Sequence, residues 1–167
     1  MALNSDILKL KAEIEAAFAD VPYPGDDNLV ETGIQEDLDA AAFFKGIKWQ
    51  DWKEKPGQLL GVLPGGYLFF LSPAAFRYYL PLYMIFALTD YFASDTLAGE
   101  TVSSVALGGV DAKICAHVER RMSVLTPVQL KVILKYLEFL RREHKEEFKA
   151  WSIDMVIENL RTLISKT

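Results

Sequence analysis

The side chains able to do chemistry are few in this chain, and they are scattered. His117 and His144 are its two histidines, 27 residues apart. Neither stands with Cys, Asp or Glu at the spacing of roughly two to five residues that metal ligands use. Cys115 is the single cysteine, so it has no internal disulfide partner. With only Lys113 and His117 near it to lower its pKa, it reads as an inert, partly buried thiol rather than a nucleophile. Glu36, Asp37 and Asp39 could in principle share acid–base work, but on the outer face of a predicted helix they read as solvated charge. Gly65–Gly66 and Gly108–Gly109 lack the further glycine and the lysine of a phosphate-cradling loop. No nucleophile elbow occurs. The expectation is no catalytic residue, no metal site and no cofactor, with the balance against an enzyme.

Two segments could bind something instead. WQDWKEKPG, residues 49–57, sets Trp49 and Trp52 among Asp51, Lys53, Glu54 and Lys55, and tryptophan beside charge is typical of binding hot spots. The competing reading has both indoles packed inward. Arg77, followed by Tyr78 and Tyr79, is the only charge in LFFLSPAAFRYYLPLYMIFAL, residues 68–88, which holds seven aromatic side chains. A guanidinium there must find a carboxylate or backbone carbonyls, since an unpaired buried charge is costly. It is therefore expected to hold structure, with anion or partner binding as the alternative. The candidate ligand- or partner-binding residues are Trp49, Trp52, Arg77, Tyr78 and Tyr79.

The elements that position these residues read as helices. Asn4 or Ser5 can cap a first one, with Ile7, Leu10, Ile14, Ala17 and Phe18 on its inner face. VPYPGDDN, residues 21–28, is a loop. A second helix is expected over 34–44, with Ile34, Leu38, Ala41 and Ala42 inward and Gly46 stopping it. Residues 47–71 are the hardest to read: irregular structure, or a small β-hairpin near 59–71 turning at Pro64, Gly65 and Gly66. Ser72 followed by Pro73 is a strong helix start. Pro81 disfavours helical geometry in the residue before it, so one helix is expected over 73–79 and a second, central and apolar nearly all round, over 82–92. Residues 94–110, rich in small and polar side chains, read as a loop with a short strand near 102–107. A modest helix follows over 111–121. Thr126, Pro127 and Gln129 form a capping-box start for the clearest helix of all, whose stripe runs Leu130, Ile133, Leu134, Leu137, Leu140, His144 and Phe148. A last helix, capped by Ser152, spans 153–164.

A chain of 167 residues can bury roughly 70% of its unfolded surface as one domain. The net charge of −5 argues against a nucleic-acid partner, which normally needs a basic face. The charge is uneven: 6 basic against 12 acidic residues over 1–56, and 11 against 8 over 111–167. The two ends are expected to attract each other across one domain. Breaks at Pro64–Gly66, Pro73 and Pro81, with Arg77 at mid-span, argue against a membrane helix, which needs about 20 apolar residues. Asp6, Glu13 and Glu15 argue against a signal peptide, and the expected compartment is the cytoplasm.

FLSPAAFRYYLP at 70–81, the tryptophan segment at 49–52 and LTPVQLKVILKYLEFL at 125–140 together resemble an uncharacterised, mainly bacterial family described as a domain of unknown function. The resemblance spans roughly Ile7 to Leu140. It implies a compact cytoplasmic bacterial domain and assigns no activity, substrate or functional residue. The chain departs from the pattern at Ala74 and Ala75, where a more polar pair with glutamate is usual, so it lacks a carboxylate there on which a role could rest. The combined expectation is a single, mostly α domain of about six helices, monomeric or homodimeric. It would bind another protein, as an immunity-like or regulatory domain does, without catalysis. The alternative is a small-molecule or enzyme pocket lined by Trp49, Trp52, Arg77, Tyr78 and Tyr79.

Overall fold

The computed structural model describes residues 3–63, 66–149 and 152–167. Among them the chain forms ten α-helices, two short 3-10 turns and no strand. The helices are α1 (Ser5–Phe18), α2 (Gln35–Phe44), α3 (Pro56–Leu60), α4 (Tyr67–Phe70), α5 (Pro73–Thr89), α6 (Tyr91–Ser94), α7 (Thr96–Ser104), α8 (Ala112–Ser123), α9 (Pro127–Glu143) and α10 (Ile153–Ser165). The fold is therefore mostly α, as expected, but built from more and shorter helices than six. Among the described residues neither the irregular structure expected over 47–71 nor its alternative, the hairpin near 59–71, accounts for the segment: it contains a 3-10 turn, α3 and α4, while Pro64 and Gly65 lie outside the described residues.

The centre of the molecule is α5. Thirteen of its seventeen residues are buried, and α1, α3, α4, α6, α7 and α8 all pack against it. Ser72 caps it as its sequence implies, the hydroxyl oxygen accepting from the Ala75 amide at 3.1 Å. The expected break before Pro81 does not occur, and α5 runs unbroken to Thr89. Proline inside a helix forfeits one backbone hydrogen bond and costs about 3 kcal/mol. Here Tyr78, Tyr79 and Leu80 before it and Leu82 to Leu88 after it are all buried, and each large apolar side chain buried contributes about 1.5–3 kcal/mol. Burial outweighs the local penalty. The helix ends earlier than expected, at Thr89, which leaves Phe92 84% exposed in α6.

Three further expectations are corrected. In α2 the inward residues are Asp37, Ala40 and Phe44, while Ile34 and Leu38 are 54% and 49% exposed. The Asp37 carboxylate accepts from both the amide and the hydroxyl of Thr32. Phe44 meets Tyr79 with ring centroids 4.3 Å apart. These anchors turn the helix away from the face its aliphatic residues suggest, and they bury an aspartate expected in solvent. Residues 96–104 form α7 rather than a loop with a strand. Its buried small residues Ala98, Gly99, Thr101 and Ser104 let it lie close to α5, and the Thr101 and Ser104 hydroxyls donate back to carbonyls three residues earlier. Ser152 does not cap α10: it sits at φ 50°, ψ 43° with no side-chain cap bond.

The second layer is α9, lying between α1 and α10. Its capping box forms as expected: Gln129 N donates to Thr126 Oγ1 at 3.2 Å, and Thr126 N donates to Gln129 Oε1 at 3.0 Å. His144 ends the helix rather than continuing its stripe, and its ring stacks on Tyr91 at 3.5 Å. The charge asymmetry resolves into ion pairs joining the ends of the chain, Lys135–Glu13 at 2.6 Å and Arg120–Glu31 at 2.7 Å. Among the described residues no helix is long and apolar enough to cross a membrane.

Candidate interaction furrow

Of the five residues singled out in the sequence, Trp49, Tyr78 and Tyr79 are buried, and Trp52 and Arg77 are half-buried. Trp49, at the start of a 3-10 turn, is 1% exposed. Trp52 is half-buried, with Lys55 Nζ 5.4 Å from its ring centroid. Tyr79 donates to the carbonyl of Ile47 at 2.7 Å, with that of Phe44 at 3.0 Å. Burial pushes its hydroxyl pKa far above the ordinary phenol value. Tyr78 donates to Gln50 Oε1 at 3.0 Å and meets Tyr79 edge-on at 4.9 Å. Trp49, Tyr78 and Tyr79 are thus brought together, but as core packing between α5 and the 49–51 turn.

Arg77 points elsewhere. Its Nε donates to Gln129 Oε1 at 3.0 Å, an amide rather than the carboxylate or carbonyl expected. Gln129, nearly fully buried, also donates from Nε2 to the carbonyl of Ala17 at 3.1 Å. One glutamine therefore ties the end of α1, the first turns of α5 and the start of α9.

The arginine that is deeply buried is Arg121 on α8, with no exposed surface. It lies over the rings of Phe69 at 5.3 Å and Phe76 at 4.9 Å, and its Nη2 donates to the carbonyls of Leu68 and Phe69. Burial lowers its pKa to about 10, only partly opposed by Glu31. The His117 ring also meets the Phe69 carbonyl, at 2.9 Å, while its Nδ1 lies 3.2 Å from Arg120 Nη2. Since Arg120 can only donate, Nδ1 accepts and Nε2 carries the proton that reaches Phe69. The two side chains together satisfy the orphan carbonyls at the end of α4. Val118, Arg121 and Met122 share the inner face of α8, a spacing legible in the sequence that would have marked Arg121 as buried.

None of the five sequence candidates lines the cavities that run along α9. One cavity, of about 290 Å³, lies between α1 and α9 and is walled by Ala16, Ala17, Val128 and Val132. It shares Glu13 and Lys135 with a second, of about 310 Å³, over Leu10 and Phe139. That one shares Glu138 and Arg142 with a third, of about 670 Å³, between the end of α9 and the start of α10. The three adjoin through these shared side chains and make a furrow that follows α9, first on its α1 flank and then on its α10 flank, over on the order of 25 Å for the helix length at 1.5 Å per residue. Its lining is graded. Val128, 63% exposed, opens the apolar end. Paired charges follow at Lys135–Glu13 and Arg161–Glu138. The far end gathers Arg141, Arg142, Lys145 and Lys149 against Glu138 and Asp154, over a buried Phe148. Arg141 pairs with Asp154 at 3.3 Å, Arg142 with Glu143 at 2.9 Å and Lys149 with Glu146 at 2.6 Å, whereas Lys145 makes no ion pair among the described residues.

DUF6714, a family of unknown function, matches residues 6–161. The chain belongs to this family. The DUF6714 match runs past the motifs legible in the sequence and takes in most of α10, and with it both walls of the basic end of the furrow. No curated protein and no solved structure matches the chain.

Proposed function

We propose that this DUF6714 protein is a non-catalytic protein-binding domain, immunity-like or regulatory in kind, that docks its partner in the furrow along α9. The observation carrying this reading is the furrow itself: three adjoining cavities whose shared walls are side chains of α1 and α9, the third closed by the start of α10. Grooves between helices are a common way of holding a segment of another protein. Two features add support. The aromatic and arginine residues that an enzyme pocket would need to converge are spent on core packing and internal hydrogen bonds. The shifted titratable groups Tyr79, Tyr136 and Arg121 owe their shifts to burial first, and among the described residues no group of acids, histidines and cysteine could hold a metal.

The test is capture of a partner from the native cell followed by amine cross-linking and mass spectrometry. Cross-links at Lys135, Lys145 and Lys149 are expected. A partner cross-linked only to Lys45, Lys55 or Lys113 removes the furrow from the reading, and turnover of a small molecule by the purified protein removes the reading itself.

A further inference from the structure

Resting on that reading, we infer that the furrow takes a single acidic peptide segment in one direction, with an apolar anchor over Val128 and Val132 and carboxylates over Arg141, Arg142, Lys145 and Lys149. The polarity follows from the lining. At the α1 end the walls are alanine and valine, and the only charges, Glu13 and Lys135, neutralise each other at 2.6 Å. A charged ligand group there would lose water without gaining a partner.

At the α10 end four cations face two acids, in a chain whose net charge is −5. Three of those cations are held by single, largely exposed carboxylates. Such pairs contribute about 0–1 kcal/mol, so a ligand carboxylate can replace them at little cost. Lys145 is already free of an ion pair among the described residues. Single-stranded nucleic acid would seek the same cations, but it also needs exposed aromatic faces on which bases stack. Among the described residues the furrow's aromatics, Phe139 and Phe148, are buried. An extended segment covering this length needs about eight residues at roughly 3.3 Å each.

The experiment uses the full chain and a fluorescein-labelled peptide of about a dozen residues, with a leucine pair at one end and a run of glutamates at the other, followed by anisotropy at low ionic strength. Wild type is expected to bind it and to ignore the same peptide with glutamines for glutamates. Lys145→Glu and Val128→Asp should each weaken binding by about tenfold or more. Lys113→Glu, an equal charge change on α8 outside the furrow, should change it less than about twofold. Equal loss with Lys113→Glu, equal binding of the glutamine peptide, no binding at all, or tighter capture of a labelled oligothymidylate overturns the inference. Absence of peptide binding together with a partner cross-linked at Lys145 and Lys149 would discard the acidic segment and leave the docking furrow standing. A partner cross-linked elsewhere discards both.

Discussion

At the scale of single residues, two arginines exchange the roles that composition suggests for them. Arg77 is half-buried and bonded to one amide oxygen, so Arg77→Ala is expected to cost about 1–1.5 kcal/mol, the ordinary worth of such a bond. Arg121 holds the last carbonyls of α4 from a fully buried position. Arg121→Ala should cost about 3 kcal/mol or more, because it leaves a cavity and strands those acceptors. Chemical denaturation of the two variants checks the order, and an Arg77→Ala loss as large as that of Arg121→Ala would contradict it. His117 adds a pH dependence. Its pKa is depressed, first by burial and then by the charges of Arg121 and Arg120, with the Phe69 hydrogen bond and Glu31 opposing. His144 is depressed as well, by burial. The unfolded chain therefore takes up protons at a higher pH than the native one. The contribution is fully present above the ordinary value of about 6.5 and is lost as pH falls below it toward the folded values. Unfolding midpoints should drop between neutrality and mildly acid pH. His117→Gln should flatten part of that slope, and the double variant with His144→Gln more of it; an unchanged slope in the double variant would exclude the histidines as its source.

At the scale of elements, helix starts divide into those made by caps and those made by packing. Thr126 closes a full capping box and Ser72 accepts a helix amide, so Thr126→Ala and Ser72→Ala should each cost about 1 kcal/mol. The Ser152 side chain accepts no amide of α10, and the residue sits in the left-handed region. Ser152→Ala should therefore lack the cost of a lost cap, and Ser152→Gly should raise the denaturation midpoint by relieving a conformation that costs a non-glycine residue about 1–2 kcal/mol. A Ser152→Ala loss equal to that of Thr126→Ala would restore the capping role. Elements were legible where a local signal and burial agree. The caps at Asn4, Ser72 and Thr126 and the stripe of α9 from Leu130 to Leu140 are all of this kind. They were illegible where the two conflict. Pro81 signals a break that the burial of α5 overrides, and the small polar residues of α7 signal a loop because nothing local shows that α5 lies against them.

At the scale of the whole molecule, one continuous core joins α1, α5, α7, α9 and α10, and Trp49 is part of it. A single core implies one cooperative transition. Tryptophan fluorescence and far-ultraviolet circular dichroism are expected to give coincident denaturation curves, and Ile14→Ala should lower both together by about 2–5 kcal/mol. Separate midpoints would show that the α1–α9–α10 layer unfolds apart from α5. The ion pairs between Glu13 and Lys135 and between Glu31 and Arg120 make the acidic front and basic back of the chain complementary within one fold. Part of the basic excess remains outward, at Lys145 and Lys149, where the furrow ends.

The sequence by itself determined the helical class, the central place of residues 82–88 and the best-capped helix starts, since each depends on neighbours within a turn or two of helix. The tertiary structure decided what depends on residues far apart in the chain. It placed Trp49, Tyr78 and Tyr79 in the core, gave Arg77 a glutamine 52 positions away and made Arg121 the buried cation. The furrow is the clearest case. Val128, Lys135 and Arg142 lie along α9 in the sequence, but a groove exists only between that helix and the flanks of α1 and α10, and no local pattern specifies the distance between helices that meet across more than a hundred residues.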